Sequence, residues 1–226
     1  MVRRISEAQE STWLYGLPFK ERRHGIQILR CGVIEILPSA ILEDTGQKAG
    51  YHDNVKVFCE ENGIRLIRIK LLCGDYTLPT DQHICIDTKD GLHEVYSNLV
   101  HDHDRVATEC DRATSLGIKI VFLVEEPGIN SVEDVHKWEN PMVVRYNMIK
   151  NGQKFGRYMG NKLPSKQPVS SSRLQKMMET FAEHHGCEWR FCRKAQTGAE
   201  ICRILMGCLP NATYAVFKQM SEDGGL

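Results

Sequence analysis

The stretch Ile84-Cys85-Ile86-Asp87-Thr88-Lys89 sets both the expected fold and the expected chemistry of this chain. Its apolar residues predict a β-strand, and side chains along a strand alternate between two faces. Cys85, Asp87 and Lys89 therefore share one face, and the two isoleucines share the other. A carboxylate and an ammonium group thus stand side by side on an otherwise apolar strand.

Patterns typical of strands and helices alternate around this stretch. An apolar segment, Ala40-Ile41-Leu42, predicts a strand that runs into Glu43-Asp44, and residues 55–62 have helical spacing. Residues 67–71 alternate in character and break at Gly74-Asp75, which predicts a hairpin with the strand over 83–89. The later patterns predict a long helix over 91–115, a strand over 118–124, a helix over 170–185 that stops at Gly186, a strand over 188–192, and a helix over 201–206 opened by a capping box at 197–200.

This alternation predicts an α/β fold with a mixed central sheet flanked by helices. In that arrangement Asp44, at the end of the first strand, and Asp75, at the hairpin, converge on Asp87 and Lys89 at one end of the sheet. Hydrolysis of a phosphodiester uses such a set, in which carboxylates hold Mg²⁺ and a cation offsets the developing charge. The alternative is that Asp75 only shapes a turn and that Asp87 and Lys89 form a surface pair.

The spacing of these motifs resembles the XPF-type nuclease domain of the PD-(D/E)xK, restriction-endonuclease-like superfamily. In that family a G-D pair is followed, after a spacer, by E-R-K on a strand; here the pair is Gly74-Asp75 and the strand ends in Asp87-Thr88-Lys89. The resemblance covers about residues 41–207. Other matching segments look most like the compact versions encoded in bacteria and phages: Glu43-Asp44, Asp104-Arg105 with Glu109, 118–125, Trp138 to Pro141, and 189–192 before Thr197-Gly198.

The resemblance implies a restriction-endonuclease-like fold that acts on DNA with Mg²⁺ or Mn²⁺. It implies Asp44, Asp75 and Asp87 as metal ligands and Lys89 as the catalytic lysine. Glu43, Arg105 and Glu109 are expected to contact these residues and hold their side chains in position. The sequence departs from the family pattern at three places: Asp87 replaces a glutamate, Thr88 replaces an arginine, and Gly46-Gln47 stand where arginine and glutamate are usual.

A basic loop is expected over about 140–169, because residues 140–178 contain no acidic residue although the chain has no net charge. Tyr146, Phe155 and Tyr158 could stack on unpaired bases there. The alternative is a solvated surface loop. The residues expected to bind DNA are Arg145, Lys150, Lys154, Arg157, Lys162 and Lys166.

The composition of the chain bears on its cellular compartment. The sequence has no apolar run long enough for a membrane span and no signal-peptide pattern at its start, which predicts the cytoplasm of a bacterial or phage-infected cell. Nine single cysteines without a C-x-x-C pair predict reduced, buried thiols rather than structural zinc. Residues 1–40 are expected to form an appendage, and residues 208–226 a tail.

Three functions fit these features. The first is a metal-dependent DNA endonuclease, which the resemblance places in repair, recombination or phage genome processing, with selectivity for DNA structure. The second is a DNA-binding module with a degenerate nuclease site, and the third is a hydrolase of small phosphate esters. DNA is the expected partner, and a homodimer or a replication-recombination partner from phage or host stays open.

Overall fold

The computed structural model describes residues 26–28, 34–47, 50, 52–153 and 162–207. Most of the expected appendage and all of the expected tail lie outside these residues. The strands are β1 (Ile26–Ile28), β2 (Ile34–Ile36), β3 (Ala40–Asp44), β4 (Arg65–Ile69), β5 (Tyr76–Thr77), β6 (Ile84–Lys89), β7 (Lys119–Glu125) and β8 (Glu188–Cys192). The α-helices are α1 (Asp53–Glu61), α2 (Leu92–Val100), α3 (His103–Ser115), α4 (Pro141–Lys150), α5 (Ser171–His185) and α6 (Thr197–Met206).

Strands β3 to β8 form one mixed sheet in the order β4-β3-β5-β6-β7-β8, and β1 and β2 form a separate antiparallel pair. Within the large sheet, β5 alone runs antiparallel to its neighbours. The carboxyl ends of β3, β6 and β7 therefore lie at the same edge as the amino end of β5. The predicted α/β fold with a mixed sheet is confirmed, and this edge is where the predicted site residues fall.

Each face of the sheet is covered by helices. Helices α2, α3 and α5 bury one core against the face that carries Cys85 and Phe122. Helices α1 and α6 bury a second core against the face of Ile41, Tyr76 and Ile86. The predicted alternation along β6 is therefore confirmed, since Cys85 and Ile86 belong to different cores. Among the described helices, none is both long and apolar enough to cross a lipid bilayer.

The predicted hairpin is wrong in its pairing. Strand β4 pairs in parallel with β3, as expected for strands joined through a helix, and does not pair with β6. The antiparallel partner of β6 is the two-residue strand β5, which lies between β3 and β6. The chain can turn back sharply because Gly74 adopts a left-handed backbone conformation with φ of 61°.

The predicted long helix over 91–115 is two helices, α2 and α3, which break at His101-Asp102. The break allows both helices to pack on the same face of the sheet, where α2 contacts β6 and β7 and α3 contacts β7. Apolar spacing continues through the break, so the sequence pattern gave no sign of it.

Two more local predictions need correction. The basic loop is not irregular throughout, because residues 141–150 form α4, whose first turn is capped by the side chain of Asn140. The apolar residues of α4 are not gathered on one face of the helix, and none of its residues is fully buried. Its sequence therefore shows no apolar stripe that would predict a helix. The predicted capping box at 197–200 does not form: α6 begins at Thr197 itself, and the Thr197 hydroxyl donates to Glu125 instead.

The cysteines of the described residues are buried free thiols, as predicted. They are Cys59, Cys73, Cys85, Cys110, Cys187, Cys192 and Cys202. Four of them, including Cys73 and Cys85, lie in the core beneath α2, α3 and α5, and the other three lie in the core beneath α1 and α6. Their role in the fold is that of small apolar side chains.

Replacing Gly74 by alanine should destabilise the protein far more than replacing Gly117. Both glycines have positive φ, but a Cβ at Gly74 would lie 2.8 Å from Cys85 Sγ and 2.9 Å from the Ile86 carbonyl oxygen, whereas Gly117 faces open space. We expect Gly117→Ala to cost about 1 kcal/mol through backbone strain, and Gly74→Ala about 2 kcal/mol more through the clash. Urea unfolding of both variants measures this, and equal costs would contradict the tight packing around Gly74.

Candidate active site

The backbone places three predicted acidic residues in one row at the sheet edge. The Asp44 N–H donates to the Asp75 carbonyl at 2.8 Å, and the Asp75 N–H donates to the Ile86 carbonyl at 2.7 Å. Asp75 thus lies between the end of β3 and the residue that precedes Asp87. The three side chains line one open cleft of about 780 Å³.

The cleft carries charges of both signs. Its carboxylates belong to Asp44, Asp75, Asp87, Glu94 and Glu109, and its cations to Lys70, Lys89, Arg105 and Arg112. Four of the nine come from strand β6 or from the segment between β4 and β5, and three come from α3. The site is therefore assembled where α3 contacts the segment between β4 and β5 at the sheet edge.

Asp87 and Lys89 form a buried ion pair. Lys89 Nζ lies 2.6 Å from Asp87 Oδ1, and the Lys89 side chain is only 8% exposed. The ammonium also lies 5.3 Å from the centre of the Phe122 ring. Burial disfavours its charge, but Asp87, Glu94 and Asp75 outweigh burial and raise the pKa of Lys89. Lys89 is thus a permanent cation at neutral pH, and the alternative of a surface pair is excluded by burial.

Asp75 is the carboxyl group of the site whose ionised form is disfavoured by its surroundings. Its Oδ2 accepts hydrogen bonds from the Thr88 N–H at 2.8 Å and the Thr88 hydroxyl at 2.5 Å. Burial and the nearby charge of Asp87 nevertheless raise the pKa of Asp75 from 3.8 to about 6. Two carboxylates that repel each other in a partly buried cleft are an arrangement that a divalent cation would relieve.

Asp44 lines the same cleft, but its carboxylate holds a loop. Oδ1 accepts from the Leu71 N–H at 2.8 Å, and Oδ2 accepts from the Gly46 N–H at 2.8 Å and from Lys70 Nζ at 3.2 Å. Partial burial opposes ionisation, but these three hydrogen bonds outweigh it and lower the pKa of Asp44. Asp44 is therefore a stable anion with both oxygens already hydrogen-bonded.

The residues expected to support the site fall in two places. Glu109 Oε1 accepts from the Gly74 N–H at 3.3 Å, and Arg105 lies 3.8 Å from Glu109, so both line the cleft. Glu43 does not line it. Its carboxylate accepts from the Tyr76 hydroxyl at 3.2 Å and pairs with Arg68 at 3.0 Å, on the opposite face of the sheet.

Four residues of the site were not predicted from the sequence: Lys70 and Arg112, which line the cleft as cations, and Thr88 and Glu94. Thr88, noted only as a departure from the family pattern, donates both hydrogen bonds to Asp75. Glu94, in the first turn of α2, lies 3.7 Å from Lys89 Nζ and so provides a second carboxylate for the ammonium. An acidic residue in the first turn of the helix after Lys89 was the available signal for Glu94.

The donor set fits a magnesium ion held by two carboxylates better than a closed metal cage. Within the described part of the chain, no group of three or more His, Cys, Asp or Glu side chains is arranged to hold a metal ion. Asp75 accepts two hydrogen bonds from Thr88, both through Oδ2. Asp87 accepts one from Lys89 through Oδ1. Mg²⁺ keeps several waters and needs only one or two protein carboxylates, so Asp75 and Asp87 match its chemistry.

The expected DNA-binding residues are only partly described. Arg145 and Lys150 lie on α4, where Arg145 is half-buried and Lys150 exposed. Lys162 and Lys166 are exposed on the segment that leads to α5. Lys154 and Arg157 lie outside the described residues.

The pKa of Asp75 gives the metal-free protein a distinctive pH dependence. Because the folded pKa lies above the unfolded value, the Asp75 charge destabilises the fold, and stability is lost as pH rises from about 4 through about 6. Asp75→Asn removes this charge and keeps an oxygen for Thr88. In EDTA we expect the variant to be more stable than wild type by about 1 to 3 kcal/mol at pH 7.5, with the difference shrinking towards pH 4.5.

Urea unfolding across that pH range measures the difference, and Asp81→Asn provides the control. Hydrogen bonds from the backbone and ring of His83 lower the pKa of Asp81, so its charge stabilises the fold above the unfolded pKa. Asp81→Asn should therefore be less stable than wild type at neutral pH. A difference for Asp75→Asn that stays constant with pH would contradict the assigned repulsion.

Comparison with known proteins finds similarity in structure but no match in sequence. No protein-family model and no curated protein sequence matches the chain. Among solved structures, it is similar to XPF from Aeropyrum pernix, with 12% identity and a TM-score of 0.48 over 80% of this chain and 72% of that one. It is also similar to XPF from Aeropyrum pernix in complex with DNA, with 14% identity and a TM-score of 0.45 over 75% of this chain and 66% of that one.

Proposed function

We propose that the protein is a Mg²⁺-dependent endonuclease that hydrolyses phosphodiester bonds of DNA in the cleft at the sheet edge. The observation that carries the proposal is the partly buried pair of carboxylates, Asp75 and Asp87, beside the buried ammonium of Lys89. A carboxyl group with a raised pKa, such as that of Asp75, is typical of a catalytic cleft. Repair, recombination or phage genome processing is the proposed setting.

Asp75 and Asp87 would hold the metal ion, which when bound polarises the phosphate and lowers the pKa of a water ligand. Thr88 keeps the Asp75 carboxylate in place through two hydrogen bonds. Lys89 stays protonated, so it serves as a fixed positive charge for the phosphoryl oxygens and not as a base. Asp87 and Glu94 are the two carboxylates that position the ammonium in the cleft.

DNA is the proposed substrate because the cleft is open and other cations are available to contact a long polyanion. Lys70 and Arg105 are mostly exposed at the cleft, with side-chain exposures of 76% and 62%. Lys150, Lys162 and Lys166 are exposed on the basic segment. Several separate phosphate contacts favour a polymer over a small phosphate ester and make binding salt-dependent.

Cleavage of labelled single-stranded, duplex and flap DNA tests the proposal. Wild type should cut at least one of these with Mg²⁺ or Mn²⁺ and lose activity in EDTA. Asp75→Asn and Lys89→Gln should each reduce the rate by about a hundredfold or more, because each removes a charge from the reacting centre. Circular dichroism and thermal unfolding establish that both variants fold.

Matched controls use the same substitutions outside the cleft. Asp104→Asn, at a fully exposed residue of α3, and Lys56→Gln, at an exposed residue of α1, should leave cleavage within about twofold of wild type. DNA bound equally by all variants but never cut would favour the DNA-binding module with a degenerate site. Salt-insensitive hydrolysis of a small phosphodiester, with DNA left intact, would favour the third function.

A further inference from the structure

The two ends of the basic segment, residues 141–168, are held together at one place on the core. The structure describes residues 141–153 and 162–168 of this segment. Asn140 stands directly before it and is 3% exposed, and Val169 stands directly after it and packs against the core of α2, α3 and α5. Asn140 Nδ2 donates to the Val169 carbonyl at 2.9 Å, so the segment begins and ends at the same point.

Two further contacts fix this point. Asn140 Oδ1 accepts from the Met142 N–H at 2.9 Å, so the same side chain that holds Val169 also caps α4. The hydroxyl of Tyr96, a buried residue of α2, accepts from the Val169 N–H at 3.2 Å. Both backbone polar groups of Val169 are thus hydrogen-bonded to buried side chains, which holds this part of the chain in place. We call Tyr96, Asn140 and Val169 the anchor.

Helix α2 connects the anchor to the cleft. Glu94, in the first turn of α2, lines the cleft and lies 3.7 Å from Lys89 Nζ. Tyr96 follows two residues later, which is about 3 Å further along the helix axis. One packed helix therefore fixes the position of the anchor relative to the reacting lysine.

The segment held by the anchor carries exposed cations. Lys150 is exposed at the end of α4, and Lys162 and Lys166 are exposed on the chain that leads back to Val169. Helix α4 has no buried residue, so the anchor at its first turn is a main determinant of where it lies. Cations that are already in place bind a polyanion more tightly than cations that must be ordered on binding.

We propose that Tyr96 and Asn140 are positioning residues, which hold the basic segment so that its lysines contact phosphates of the DNA that lies in the cleft. This inference rests on the proposed nuclease function and deepens it by naming residues that act through the basic segment. Both side chains are buried, so they act on DNA only through the cations that they position. Without the anchor these cations must be ordered when DNA binds, which lowers affinity although no phosphate contact is removed.

Tyr96→Phe tests this role, because it removes the hydroxyl that holds Val169 and keeps the ring in the core. Binding of labelled DNA is followed by anisotropy in EDTA at several salt concentrations, and cleavage is followed with Mg²⁺ over a range of DNA concentrations. We expect affinity to fall about fivefold at every salt concentration, with an unchanged slope of log affinity against log salt. The KM should rise, and the kcat should stay within about twofold of wild type. Asn140→Ser keeps a helix cap, removes the amide donor and should have the same effect.

A double-mutant cycle shows whether the anchor acts through the lysines. Changing both Lys162 and Lys166 to glutamine removes two phosphate contacts and should reduce the salt slope by about two. In that background the effect of Tyr96→Phe should shrink to about twofold or less, because cations that it positions are gone. Thr114→Val is the control: it removes a hydroxyl hydrogen bond to the His185 carbonyl, at the opposite end of α5, and should leave affinity as in wild type. Circular dichroism and thermal unfolding establish that each variant folds.

Unchanged affinity in Tyr96→Phe, or an equal loss with and without the two lysines, would overturn the positioning role. If wild type still cuts DNA in that case, the proposed nuclease stands without the anchor. The expected coupling in binding, with no cleavage by wild type in Mg²⁺ or Mn²⁺, would instead overturn the nuclease and leave the anchor standing. Failure of wild type to bind DNA would overturn both.

Discussion

The two backbone hydrogen bonds of Asp75 are the contacts on which the candidate site depends. One joins Asp75 to Asp44 at the end of β3, and the other joins it to Ile86, next to Asp87 on β6. Because β5 is only two residues long, few other ladder bonds hold these strand ends together. The left-handed turn at Gly74 makes this short insertion geometrically accessible, and the close approach of Cys85 leaves no room there for a side chain.

Charged side chains are concentrated at this edge of the sheet, although burying them costs solvation free energy. Burying Asp87 and Lys89 costs solvation, which their 2.6 Å contact offsets, with Glu94 as a second partner for the ammonium. Within the described residues no ion pair includes Asp75, and the two hydrogen bonds from Thr88 do not cancel the effects of burial and of repulsion by Asp87 on its carboxylate. Sites that accept such a cost at the expense of stability are typical of catalytic centres.

The strand end of β3 shows how neighbouring residues acquire different tasks. Glu43 and Asp44 are adjacent in sequence but lie on opposite faces of the sheet. Glu43 contacts Tyr76 and Arg68 beside the core of α1 and α6, whereas Asp44 faces the cleft and accepts a hydrogen bond from the Leu71 N–H. The Asp44 carboxylate thus connects the row of acidic residues to the segment between β4 and β5.

Elements with strong local signals were predictable from the sequence, whereas the others required the tertiary structure. Strands over 84–89 and 188–192 and the helix that stops at Gly186 were predictable because alternation and a left-handed glycine are local properties. The convergence of Asp44, Asp75 and Asp87 on one cleft was also predictable, since each lies at or near the end of a strand. The partner of β6, the break between α2 and α3, and the contacts of Thr88, Glu94 and Glu43 were decided only in the folded chain. Strand pairing and side-chain burial depend on residues far apart in sequence, which periodicity within a short window does not encode.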